Sequence, residues 1–282
     1  VVTALDTPTP VRRVRIPRAG IAAALVVLAV VAIAALAPGL LTGVDPNHAD
    51  LGATLRPPDW DHWFGTDQNG RDLFARVAHG AGASVLIGLG ATGLALLGGI
   101  VIGTLAAQTG RWGDEIISRL LDVVLAVPGL LLVFLVAAVM GASGFTATIG
   151  LAVGTVPGFA RVVRAEVLRV RASTYVEAAH GLGHPGPRVV LVHVVPNAVG
   201  PVFALATVSL GAMIVASSSL SFVGLGPKPP TAEWGAMLAA GRDLASVAWW
   251  PTVFPGVAIT LTVLAVTVLG QHLQARFERR TV

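Results

Sequence analysis

The chain has 282 residues, 54% of them hydrophobic and 12% charged, with a mean hydropathy of +0.78 and a formal net charge of +4. Soluble domains carry about 25% charged residues, so half that fraction, arranged in long charge-free runs, points to a bilayer rather than to a large soluble core. The absence of cysteine excludes disulfides, thiolate metal sites and a cysteine nucleophile, and basic residues scattered between apolar runs mark membrane topology rather than nucleic-acid binding.

Residues 1–19 are polar and proline-containing and include Arg12, Arg13, Arg15 and Arg18. Ala19 to Thr42 then runs 24 residues without a charge, enough to cross a hydrocarbon core roughly 30 Å thick and longer than the ~7–15 apolar residues of a signal peptide. A polar loop follows over 43–79, then charge-free runs over 80–110, 123–160, 194–227 and 244–275. The second of these is too long for one span, and Gly141-Ala-Ser-Gly144 divides it. Six spans are expected, at about 20–42, 82–107, 121–140, 145–161, 199–222 and 250–271. They place both termini on one side. The tails and the 109–122 and 161–193 loops, all on that side, hold 14 of the 19 basic residues, and the positive side is cytoplasmic.

The longest cytoplasmic loop contains Thr174-Tyr-Val-Glu-Ala-Ala-His-Gly-Leu-Gly183, with Arg161, Arg164, Arg169 and Arg171 before it and Arg188 after it. Thr174-x-x-Glu177 fits a capping box. Gly183 supplies a left-handed helix end and Pro185 prevents resumption. The spacing predicts a helix over Tyr175–Leu182. So short a helix is marginal alone in water, where about 12–15 residues are needed, and it must dock. The residues alone leave open whether it docks on its own membrane domain or on something else.

Glu177-Ala178-Ala179, Gly183 six residues after the glutamate, and Pro196-Asn197 beyond resemble the EAA loop of ABC importer permeases, with His193 as in the dipeptide and oligopeptide branch. Gly65-Thr-Asp-Gln-Asn-Gly-Arg-Asp72 is similar to that branch's GTDxxGRD segment. Leu220-Ser-Phe-Val-Gly-Leu-Gly226, Pro229-Pro230 and Trp234-Gly-Ala-Met237 are similar to its LSFLGLG…PP…WGAM segment. The stretch Gly183-His-Pro-Gly-Pro187 is more proline-rich than the family's usual loop, which stiffens the helix exit.

The resemblance implies an all-α, polytopic membrane protein with six transmembrane helices in the type I importer (MetI-like) permease fold. Its parts are a cytoplasmic tail (1–19), a first transmembrane helix with an extracytoplasmic loop (20–81), a core permease domain (82–271, EAA loop about 161–196) and a cytoplasmic tail (272–282). It implies a bacterial inner-membrane subunit of a binding-protein-dependent peptide importer. The partners would be a second homologous permease, two cytoplasmic ATPase subunits and an extracytoplasmic substrate-binding protein. Glu177, Ala178, Ala179 and Gly183 carry over onto the ATPase-coupling helix. The branch is associated with dipeptides, oligopeptides, nickel and glutathione, and no residue of the sequence decides among them.

No cofactor is expected in this chain; ATP and magnesium belong to the partner ATPases. A phosphate-binding GxxxxGK[ST] needs Gly-Lys, and the one lysine, Lys228, follows Pro227. Gly88-x-Gly90-x-x-Gly93 lies in an apolar span, where small residues serve helix packing, as do Gly99 and Gly103. His180 and His184 have zinc spacing without the glutamate or a third ligand, and residues 67–72 miss the calcium-loop register, leaving Asn69-Gly70 as a turn.

Trp249 and Trp250 fit an interfacial belt. The 59–72 segment, with Trp60 and Trp63, is more polar than an anchor needs, and Asp67, Arg71 and Asp72 are candidates for contact with the binding protein or for an outer gate. Ser217, Ser218, Ser219 and Ser221 are expected to bond their own helix rather than line a path. No span carries a charge at its expected centre, which argues against the alternative of an ion-coupled channel; a passive channel without an ATPase stays open. No catalytic constellation is present, so the chain is expected not to be an enzyme.

Overall fold

A computed structural model describes residues 18–278, with side chains as far as Ala275. Arg12, Arg13, Arg15, Arg279 and Arg280 therefore lie outside the described residues, as does the Arg276 side chain. The described chain is helical. Its helices are α1 (Arg18–Leu36), α2 (Leu73–Gln108), α3 (Gly110–Ala126), α4 (Gly129–Met140), α5 (Gly144–Arg171), α6 (Thr174–Gly181), α7 (Gly186–Val189), α8 (Val195–Phe222), α9 (Trp234–Arg242) and α10 (Trp250–Glu278). A π-helical turn, Val190–Val194, joins α7 to α8 as one long span.

Five of these segments are long and apolar enough to cross a membrane, and the sixth span exists only if α3 and α4 are counted together. The expected continuous helix over 121–140 is instead bent by 88°. Pro128 has no N–H and excludes the residue before it from helical geometry, and Val127 is accordingly extended. Other boundaries shift for local reasons. The first helix stops at Leu36, with Pro38 opening a 3₁₀ turn. The second starts at Leu73 rather than near 82, because Asp72 caps it by accepting from the Ala75 N–H at 2.8 Å. The helix expected to end at 161 continues to Arg171, its arginines held by partners described below.

The centre of the fold is the seam between α2 and α5. Ala91, Ala95, Gly99, Gly103 and Ala106 form a buried stripe of small side chains on α2. Added Cβ atoms at Gly99 and Gly103 would run into the α5 backbone at Phe159–Ala160 and Ala160–Arg164. The opposite side of α2 exposes Leu86, Leu97, Val101 and Leu105, as a lipid-facing or partner-facing surface does. α8 and α10 pack beside this pair and α1 lies on α10 and α2.

The outer end is closed around Glu233, a carboxylate with 0% exposure. Its Oε1 accepts from Ser84 Oγ and the Gly235 N–H, both at 3.0 Å, and its Oε2 from the Ala236 N–H at 2.8 Å. Glu233 thus caps α9 and ties it to α2, and Trp234 adds an indole N–H donated to the Val77 carbonyl. A buried carboxylate is stable only when its acceptors are filled in this way. Replacing Glu233 with Ala orphans two backbone N–H groups and the Ser84 hydroxyl, and we expect a loss of about 2–3 kcal/mol. Thermal unfolding of the purified protein checks this; Glu233→Gln, which keeps one acceptor oxygen, should lose less.

Candidate functional site

At the inner end, α5 runs past its apolar part and is clamped by charge. Arg161 pairs with Asp122 and Arg164 with Asp114, both on α3, while Arg171 donates to the Ala107 carbonyl at the C-terminal end of α2. The first two pairs are partly exposed and contribute little each, about 0–1 kcal/mol, but together with Arg171 they fix three helix ends against one another. Arg171 also places a cation at a helix C-terminus, where the macrodipole favours it.

Two residues, Ala172 and Ser173, separate the end of α5 from the start of α6. Its N-cap is Ser173 rather than Thr174, and the capping box does not form: Ser173 Oγ donates to the Val170 carbonyl at 2.5 Å, and no side chain caps the helix. The other end matches expectation in detail. Gly183 has φ of +78°, its N–H reaches the His180 carbonyl at 2.9 Å, and the His184 N–H reaches the Ala179 carbonyl at 3.3 Å. That pair of bonds is the Schellman arrangement, and it needs a residue free to be left-handed. Pro185 does not stop helix formation outright, since it is the N-cap of the short α7.

Val176 and Ala179 anchor α6, buried with Val167 and Val170 of α5, Val189 of α7 and Ala198 of α8. Ala179, 7% exposed, is therefore part of the core and not of an outer surface. Its neighbour Ala178 is exposed, as are Thr174, Glu177, Gly181 and Gly183. Thr174, Ala178 and Gly181 follow at i, i+4 and i+7 and form one low ridge, flanked by exposed Tyr175 and Leu182. His180 has its Nδ1 2.9 Å from the Val176 carbonyl.

At the outer end, the Gly65–Asp72 segment is wound tightly. Gly70 (φ +70°) closes a turn by donating its N–H to the Asp67 carbonyl at 3.0 Å, as Asn69-Gly70 led us to expect. Asp67 Oδ1 accepts the N–H groups of Asn69 and Arg71 at 2.8 and 3.1 Å, and its Oδ2 accepts from Arg71 Nε at 2.7 Å. Asp72 divides its oxygens between the α2 cap and His62 Nδ1, the latter at 2.8 Å. Asp67 and Asp72 are 4% and 8% exposed, so neither presents a contact surface: both are spent on holding the loop. Trp250 departs from the belt expectation, being buried with its indole N–H donated to the Thr66 carbonyl at 3.0 Å. Trp60, Trp63 and Trp249 do stay exposed.

Over residues 99–282 the sequence matches the family described as the binding-protein-dependent transport system inner membrane component. It is 37% identical to the probable D,D-dipeptide transport system permease protein DdpC of Escherichia coli strain K12, across 90% of this chain and 85% of that one. The chain belongs to this family of ABC importer permeases. The permease is also 37% identical to the dipeptide transport system permease protein DppC of Alkalihalophilus pseudofirmus, over 89% of this chain and 82% of that one. It is 36% identical to the glutathione transport system permease protein GsiD of Pectobacterium atrosepticum, over 90% and 84%. Among solved structures it resembles a chain of the inward-facing MetNI methionine ABC transporter, with a TM-score of 0.57 at 18% identity over 73% of this chain and 96% of that one. A chain of an amino acid ABC transporter gives a TM-score of 0.53. The fold is that of a type I importer permease, a multi-pass inner-membrane protein.

Three features of the permease escape sequence reasoning. Glu233 looks like a loop acid, and its only signal is standing alone between Ala232 and Trp234 in an apolar context. Arg76 looks like a topology marker yet is buried at 5% exposure. The serines of α8 split: Ser217 and Ser219 bond the Ile214 and Val215 carbonyls, whereas the buried Ser218 and Ser221 hydroxyls find no acceptor among the described residues.

Proposed function

We propose that this permease forms half of the pathway of an ATP-driven importer of short peptides, and that cytoplasmic ATPases move it through α6. The observation that carries the coupling role is the two-faced build of that helix. Val176 and Ala179 fix it to α5, α7 and α8, while the ridge of Thr174, Ala178 and Gly181 is left uncovered. A short helix closed at Gly183 and clamped to its own domain moves with that domain, and small side chains let a partner's groove approach closely. Of the resembling residues, Glu177, Ala178 and Gly183 are exposed, which supports a contact role, and Ala179 is buried beneath them as an anchor.

Peptides as cargo are supported by the relatives, named for dipeptides and for glutathione, which share peptide linkages and free carboxylates. The arginines around α6 support a cytoplasmic location for this end and for both termini. ATP and magnesium then sit on the partner subunits, and a second homologous permease and an extracytoplasmic binding protein complete the assembly.

Native mass spectrometry of the protein extracted mildly from its own membrane tests the reading. The expected complex contains ATPase subunits and one homologous permease. A lone chain or a homo-oligomer, reproducibly without ATPase, would establish a passive channel instead.

A further inference from the structure

At the outer end of α2 two guanidinium groups converge on one carboxylate. Arg71 Nε lies 2.7 Å and Arg76 Nε 3.5 Å from the same oxygen, Asp67 Oδ2. Arg76 Nη1 also donates to the Pro46 carbonyl at 3.0 Å and, at 3.4 Å, to Asn47 Oδ1. Both terminal nitrogens of Arg71 and Nη2 of Arg76 then have no acceptor among the described residues.

Among the described residues no acid but Asp67 comes within 4.0 Å of either guanidinium. Asp72 meets His62 and the α2 cap, Glu233 meets Ser84 and α9, and Asp45 and Asp50 are exposed and close their own turns through Asn47 N and Gly52 N. One positive charge is therefore left over beside a side chain that is 5% exposed. A buried cation without a counter-charge costs several kcal/mol.

The unfilled donors border a cleft of about 150 Å³, walled by Met237 and edged by Gln68, Asn69 and Thr231. At ~30 Å³ per water the space holds a carboxylate and a short stem, and no segment of a folded partner. Guanidinium forks fit carboxylates in two-pronged fashion, and the amide and hydroxyl groups at the rim supply further polar contacts.

We propose that this cleft is a carboxylate subsite, in which Arg71 and Arg76 receive the C-terminal carboxylate of the peptide arriving at the outer mouth. The proposal rests on the peptide-import reading for the source of the carboxylate, and on the geometry alone for the chemistry.

The test measures thermal stabilisation of the purified complex at constant ionic strength by acetate, chloride, alanyl-alanine and alanyl-alanine amide. Acetate and alanyl-alanine should stabilise, while chloride and the amide should not. Arg71→Gln should raise the half-saturating concentration roughly tenfold or more, and Arg71→Lys, which keeps the pairing with Asp67 and so the loop, should raise it as well. Equal stabilisation by free acid and amide, or unchanged saturation in a folded Arg71→Lys protein, overturns the subsite while leaving peptide import untouched. Acetate binding without alanyl-alanine binding overturns the peptide as its source. In uptake, the wild type should prefer free over amidated dipeptide and Arg71→Lys should narrow that preference; no preference in the wild type also overturns the proposal.

Discussion

An Ala178→Arg permease should fold, insert and melt as the wild type does, yet lose uptake and substrate-stimulated ATP hydrolysis by roughly a hundredfold, whereas Ala179→Arg should fail to accumulate as folded protein. The two positions are adjacent in sequence and identical in residue type. Only their surroundings differ. Ala178 is exposed on the outer ridge of α6, where a long cation costs the isolated chain almost nothing. In a close-packed contact it holds the partner off, and a misfit at an interface centre costs about 2–4 kcal/mol, which is the hundredfold. Ala179 sits among Val167, Val170, Val189 and Ala198, where a guanidinium has neither room nor a counter-charge. The measurements are melting of the purified protein and uptake with ATPase activity in the reconstituted complex. Wild-type uptake by Ala178→Arg would remove α6 as the handle.

The second large effect lies in the α2–α5 seam. Gly103→Val should destabilise the permease by more than about 3 kcal/mol, while Gly93→Ala, ten residues away on the same helix, should be neutral or slightly stabilising. A Cβ at Gly103 would stand 2.8 Å from Val163 Cβ and 3.0 Å from the Arg164 nitrogen and would overlap the Ala160 carbonyl; at Gly93 it meets nothing within 4 Å. The obstacle at Gly103 is backbone, which cannot rotate aside, so the helices must separate along their shared length. Folded yield and melting midpoint check the pair. A Gly103→Val protein with a wild-type midpoint would mean that the two helices do not meet as described.

Hydropathy made the architecture legible because lipid-spanning segments must be long, apolar and helical. It misplaced their ends wherever a polar side chain was paired instead of solvated. Arg161 and Arg164 read as the end of a span, but Asp122 and Asp114 neutralise them and the helix continues. Residues 109–122 read as a loop, and from Gly110 they turn out to be an amphipathic helix, whose charges lie between the core face and an exposed apolar row of Trp112, Ile116 and Leu120. Of the inner site, Gly183 was readable from local chemistry alone, since few other residues accept its backbone angle. The division of labour between Ala178 and Ala179 was not, because burial is a property of what α5, α7 and α8 bring to the helix. In the outer segment, Asp67 and Asp72 suggested a surface; their partners, His62, Arg71 and the α2 N-terminus, are nearby in sequence, but acids that organise a turn and acids that greet a visitor look alike until the turn is closed.

α2 is 36 residues long with no proline inside it, about 54 Å of helix at ~1.5 Å per residue, against a hydrocarbon core of roughly 30 Å. It protrudes, and its two tips carry the two regions of interest: Arg171 grips the Ala107 carbonyl at one, and Arg76 lies in the first turn at the other. Such a rod behaves as a lever with its fulcrum at the glycine seam. Tilting it by about 5° about Gly99–Gly103 moves the Ala107 tip by roughly 1 Å and the Leu73 tip by roughly 3–4 Å, so a tug on the short arm would reach Arg76 enlarged, with no proline hinge along the way to absorb it.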